Sequence, residues 1–159
     1  MNRYAQGAIV KPFKGFGELI TPLDLVLKLE HDLERIKQSP QDQYAAFDFF
    51  ITAEHIIDWL HPTDKKAREK IRSSSPLLRI TSHIANGAKH FEAKASNHRS
   101  VEDIEKCRVA EPGCFEKGVV EEPLIVHLTH DEAVFMGKEV IEVDQLARHV
   151  FEYWKVNVA

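Results

Sequence analysis

A chain of 159 residues, 43% hydrophobic and 29% charged, has the length and balance of one soluble domain that buries about two-thirds of its unfolded surface. A net charge of −4 gives no global drive toward nucleic acid, and no apolar run approaches the roughly 20 residues of a membrane span. Two cysteines, Cys107 and Cys114, are too few for a disulfide scaffold. They read as reduced thiols, with a single bridge closing one loop as the alternative. The first residues lack the apolar core of a secretory leader, so the expectation is a cytoplasmic protein with no membrane partner.

Residues 1–20 place Phe13 and Phe16 among Gly7, Pro12, Gly15 and Gly17, which predicts an irregular arm docking its aromatic rings on the body. Thr21-Pro22 is a helix start, a hydroxyl cap followed by proline at the first helical position. Leu25, Val26, Leu29, Leu33 and Ile36 then form an apolar stripe to Gln38. A second helix from Gln41 to about Leu60 is apolar around most of its circumference, which predicts a central helix. Its polar stripe is Asp48, Thr52 and His55, with Asp58 one turn on; buried polar groups of this kind need partners. His61-Pro62 closes it. The basic stretch 63–74 predicts a short exposed helix capped by Thr63.

Ser75-Pro76 repeats the capped start, and Leu77, Ile80, Ile84, Ala88 and Phe91 fall on one side at 100° per residue. The other side carries Arg79, His83, Asn86 and His90: a guanidinium, a carboxamide and two imidazoles in one stripe, with Gly87 beside them. Residues 95–121 are polar and poorly periodic, with a short helix expected over Ser100 to Lys106 and a turn at 111–113. From Pro123 the period changes to that of strands: LIVHL, then AVFM and EVIEV around Gly137 as a hairpin. Asp144 caps a last helix to residue 158, with Leu146, Val150 and Trp154 inward. The predicted fold is mainly α, an up-and-down four-helix bundle over 21–95 and 144–158. A small antiparallel β element, 123–143, precedes the C-terminal helix. The predicted core centres on Phe49, Phe50, Ala53, Ile56, Ile57, Ile80, Ile84, Phe91, Val150 and Trp154.

Three chemistries fit the polar side chains. His55 and Asp58 on one helix with His83 and His90 on the next offer metal ligands across the bundle, although His83 and His90 stand about 10 Å apart along their axis; neither a metal nor another cofactor is expected. An Arg, an amide and a His on one helix face instead suit an RNA phosphodiester. Arg79 would bind phosphate in a fork, Asn86 orient it, and His90 serve as acid and base. In the third reading the stripe is a solvated face in which Arg79 meets Asp48 or Asp58 and His55 bonds across the bundle.

The Asn86-Gly87-Ala88-Lys89-His90 segment resembles the motif of the HEPN superfamily, small four-helix bundles that include dimeric, metal-independent ribonucleases. Their pattern is an arginine, a polar residue that is often asparagine, a short spacer and a histidine. Here Ala85 stands where those proteins have the arginine, and Arg79 lies two turns upstream. The resemblance spans roughly residues 20–95; AEHIIDWLHP and HIANGAKHF are also similar to segments of bacterial proteins without an established function. It implies a homodimer across the Arg79, His83, Asn86 and His90 face, acting as a binding module for RNA with a degenerate catalytic motif. The active ribonuclease is the alternative. In the binding reading His83, His55, Asp58 and Asp48 join the site.

Overall fold

The computed structural model describes residues 12–107 and 122–158. The N-terminal eleven residues, the turn at 111–113 and Cys114 with its pairing lie outside them. Within them the chain is mainly helical, with a three-stranded antiparallel sheet. The order is α1 (Pro22–Gln38), α2 (Gln43–Leu60), α3 (Lys65–Ser73), α4 (Pro76–His90), β1 (Val101–Lys106), β2 (Leu124–Leu128), α5 (His130–Met136), β3 (Val140–Glu142) and α6 (Val143–Asn157).

The helix starts follow their caps. At α1 the Thr21 hydroxyl accepts from the Asp24 N–H while the Asp24 carboxylate accepts from the Thr21 N–H, a reciprocal capping box. At α4 Ser75 Oγ accepts from the Leu78 N–H at 3.2 Å with Pro76 behind it. At α3 the cap is Asp64, not Thr63: its carboxylate, one residue nearer the helix, accepts from the Ala67 N–H at 2.9 Å.

α2 is the central helix. It packs against α1, α3, α4 and α6, and its Phe49, Phe50, Ala53, Ile56 and Ile57 are buried. Ile80, Ile84, Val150 and Trp154 join them from α4 and α6, as their periodicity predicts. Phe91 does not. α4 ends at His90, Phe91 takes φ 65° in the left-handed region, and its ring is 99% exposed. The face α4 buries is accordingly turned from the predicted one. Leu78, Thr81, Ser82 and Ala85 go inward with Ile80 and Ile84, because α2 and α3 cover that side of the helix while Arg79 and His83 turn to α5 and β1.

The C-terminal third departs most from expectation. Residues 101–106 form a strand rather than a helix, pairing antiparallel with β2 from Val101↔Leu128 to Lys106↔Leu124. β2 alternates, burying Leu124, Val126 and Leu128. AVFM is not a strand. It lies in α5, with Asp131 and Glu132 at the positive end of the helix dipole and Gly137 closing it at φ 69°. β3 returns from that turn to pair with β2 and runs into α6 without a loop, so the residue at the cap position is Glu142. Asp144 sits inside the first turn and grips Arg148 at 2.8 and 3.0 Å. In the described part of the arm, Phe13 and Phe16 are exposed rather than docked.

Candidate functional site

α4 carries the four stripe residues at the predicted spacing, but its neighbours divide them. Arg79 turns to α5, where Nε and Nη2 fork onto the two Glu132 carboxylate oxygens at 3.1 and 2.8 Å. Glu132 is buried, and the Ser100 hydroxyl donates to it at 2.7 Å. Arg79 therefore meets neither Asp48 nor Asp58. Asp48 faces α1 and takes Arg35 Nη1 at 2.8 Å, while Asp58 faces α3 and takes Arg68 and Arg72 at 3.3 and 2.9 Å.

His83 is likewise engaged. Its Nδ1 accepts from the backbone N–H of both Ser100 and Val101, at 3.1 and 3.0 Å, fastening the start of β1 to α4. His98 stacks on it with ring centroids 5.5 Å apart. Burial, then the neighbouring His98, pushes the His83 pKa below its ordinary 6.5. A nitrogen that accepts two N–H bonds cannot carry a proton, so the ring is fixed as the Nε2–H tautomer. A long-range nitrogen–proton NMR spectrum at pH 7.5 is expected to show that tautomer for His83; an Nδ1–H signal would contradict the bond. Linkage gives the sign of the pH effect. The unfolded imidazole takes its proton near 6.5 and the folded one lower, so this contribution to stability is complete above 6.5 and is lost as pH falls toward the depressed native value.

Asn86 does face open space. It lies with His55 and Lys89 on a cleft of about 310 Å³ between α2, α3, α4 and the 95–98 turn. Asn86 Nδ2 is spent on the Ser82 carbonyl of the preceding turn, at 2.8 Å. His55 is half-buried rather than largely buried, because α2 turns it to the cleft edge and not toward Asp48. Burial holds its pKa below 6.5, with Asp58 opposing and Lys89 adding to the shift. His90 is exposed at the end of α4, outside the cleft lining.

At the bottom of the cleft stand residues that the sequence pattern does not single out. Glu54, on the apolar helix α2, is only 8% exposed. Its Oε1 takes the Arg72 Nε and the Ser82 hydroxyl, whereas Oε2 is buried with no hydrogen-bond partner. Burial raises the Glu54 pKa above its ordinary 4.5 and Arg72 opposes this, with the first effect the larger. Arg72 bridges Glu54 and Asp58, so α3 is tied to α2 through two carboxylates. His98 completes the far wall, its pKa held below 6.5 by burial and then by Arg72. One signal for Glu54 was present in the sequence: a carboxylate four residues from Phe50 and three from Ile57 points into the same apolar face and needs a cation there.

Among the described residues, no group of three or more His, Cys, Asp or Glu side chains is placed to hold a metal ion. The helices do separate His83 from His55 and Asp58, sending the first to β1. No helix among the described residues is long and apolar enough to cross a membrane. No protein-family model matches the chain, and neither a curated protein nor a solved structure matches it.

Proposed function

We propose that the chain is a HEPN-like interaction module that binds single-stranded RNA at the α2–α3–α4 cleft without cleaving it. In this reading α1, α2, α4 and α6 are the helices of an up-and-down bundle and the protein works as a cytoplasmic homodimer. The observation that carries the binding reading is the cleft itself, where His55, Asn86 and His98 offer planar groups beside the exposed Lys89. Lys66 and Lys70 are exposed on α3, which lines the cleft through Glu69 and Arg72. Lys89 at the rim with flat polar groups inside suits a phosphate backbone and unstacked bases. The carboxylates of the lining, Glu54, Asp58 and Glu69, stand on the α2 and α3 side, where Arg72 pairs with the first two.

The same geometry favours binding over cleavage. Arg79 is held by Glu132, His90 is outside the cleft, and the two stand eleven positions apart, about 16 Å along the helix. A phosphate on one cannot receive a proton from the other within one chain. Incubating the protein with mixed single-stranded RNA in EDTA is expected to leave the RNA intact. Cleavage that disappears in His90→Ala would establish the ribonuclease instead. Light scattering tests the assembly: a dimer is expected, and a monomer at high concentration would refute that part.

A further inference from the structure

A second cleft, of about 580 Å³, opens on the side of α4 away from Glu54 and runs between that helix and β1. Its floor is core: Ala46 and Phe50 of α2, Ile84, Leu124 and Val143. One wall is the last turn of α4, with Gly87, Ala88 and the exposed Phe91. A Cβ added at Gly87 would meet nothing within 4 Å, so the glycine leaves this wall low without serving any contact inside the described residues. The other wall is Val101, Glu102, Asp103 and Ile104 in unbroken succession. The β1–β2 register shifts between Val101 and Asp103, a bulge that breaks the alternation of side chains between faces, and these successive residues reach the cleft along the strand's outer edge.

That edge is open. β1 is terminal in the sheet order β1-β2-β3, and among the described residues it pairs with β2 alone. The Cys107 N–H bonds to the Pro123 carbonyl at 2.8 Å, so the antiparallel alternation turns the Ile104 and Lys106 amides away from β2. The Ile104 N–H is met by its neighbour's Asp103 Oδ1 at 2.8 Å, a local side chain standing where a ladder partner would be. A slot between an open strand edge and a helix is the arrangement in which extended peptides bind by adding a strand.

Charge selects among occupants. The lining holds Glu92, Glu102 and Asp103 but no Lys or Arg among the described residues, and only Glu92 has a cation nearby, Lys94 at 3.4 Å. Phosphate is repelled there. A second copy pairing antiparallel with Ile104 against Ile104 would set Asp103 opposite Glu105 twice, like charges that destabilise the pairing, while Glu102 would meet Lys106. We propose that the groove takes an extended peptide that adds to β1 as a fourth strand, with apolar side chains on the Ile84 and Phe50 floor and basic ones against Glu102 and Asp103.

The test uses the full chain and three fluorescein-labelled heptapeptides at 150 mM salt: Lys and Val in alternation, Glu and Val in alternation, and the first peptide N-methylated at alternate amides. The Lys/Val peptide is expected to bind at least ten-fold more tightly than either other. Its NMR shift changes should concentrate on residues 87–93 and 101–106. Gly87→Leu, which fills the groove from a helical position with free space, should weaken it about ten-fold, and the paired Glu102→Lys and Asp103→Lys change should do the same. Equal binding of the methylated peptide would overturn strand addition, and absence of binding by the Lys/Val peptide would overturn the proposal. Shifts at those residues that follow protein concentration without peptide would overturn it in favour of a second copy.

Discussion

Arg72→Ala is expected to lower the unfolding free energy by about 3–5 kcal/mol at pH 7.5, the range for breaking a buried ion pair by removing one partner. Arg72 is the cation that Glu54 Oε1 meets, and the other Glu54 oxygen has no hydrogen-bond partner. Without it a carboxylate 8% exposed keeps only the Ser82 hydroxyl at the bottom of a cleft it shares with Ile51 and Ala85. The loss should shrink in acid. Burial already raises the folded Glu54 pKa above 4.5, and deleting the opposing cation raises it further. The folded variant then binds a proton that the unfolded chain does not hold until about pH 4.3, so its deficit relative to wild type closes as pH falls through the raised value. Urea denaturation of both proteins at pH 7.5 and 5 measures this. An equal difference at the two pH values would show that Glu54 is not the group responsible.

The second large effect belongs to Arg79. Arg79→Ala strips both fork bonds from the buried Glu132 and leaves it the Ser100 hydroxyl alone. It also removes the guanidinium 5.4 Å from the Phe135 ring. A loss of about 3 kcal/mol is expected, again because a buried charge keeps no counter-ion. Arg79→Lys retains a charge but not the fork and should recover only part of it. RNA affinity should be unchanged: Arg79 borders the space that continues the cleft past Arg72 and His98, but its fork is held by Glu132. A variant of wild-type stability that has lost RNA binding would return Arg79 to the role its place in the stripe suggests.

The two arginines show where sequence reading succeeds and where it stops. Thr21-Pro22 and Ser75-Pro76 are local signals, and both helices begin where those residues put them. The apolar circumference of α2 marks it as central for an equally local reason. Partners are not local. Arg72 stands in a run of five cations, and its distance of 18 residues from Glu54 singles it out only once α3 has folded back on α2. Arg79 meets Glu132 across 53 residues, through a helix whose residues AVFM are β-prone in isolation. There Gly137 sits in the sequence where a hairpin turn would, whereas it closes α5 in the left-handed conformation. VEDIEK misleads in the opposite sense. Its acids and lysine suit a helix or an exposed edge, and pairing with LIVHL makes it the edge. Phe91 fits the apolar period of α4, yet the helix stops one residue before it.

The α2–α3–α4 cleft as an RNA site is tested most directly by fluorescence anisotropy of a labelled single-stranded RNA in EDTA, from 50 to 200 mM salt. Affinity should fall with salt, as counter-ion release requires. Asn86→Ala should weaken binding up to about ten-fold, the loss of one hydrogen bond worth roughly 0.5–1.5 kcal/mol. Lys89→Ala should weaken it and flatten the salt slope by about 0.7, one phosphate contact on a single strand. Binding that neither substitution moves, or no binding at 50 mM salt, would contradict the assignment.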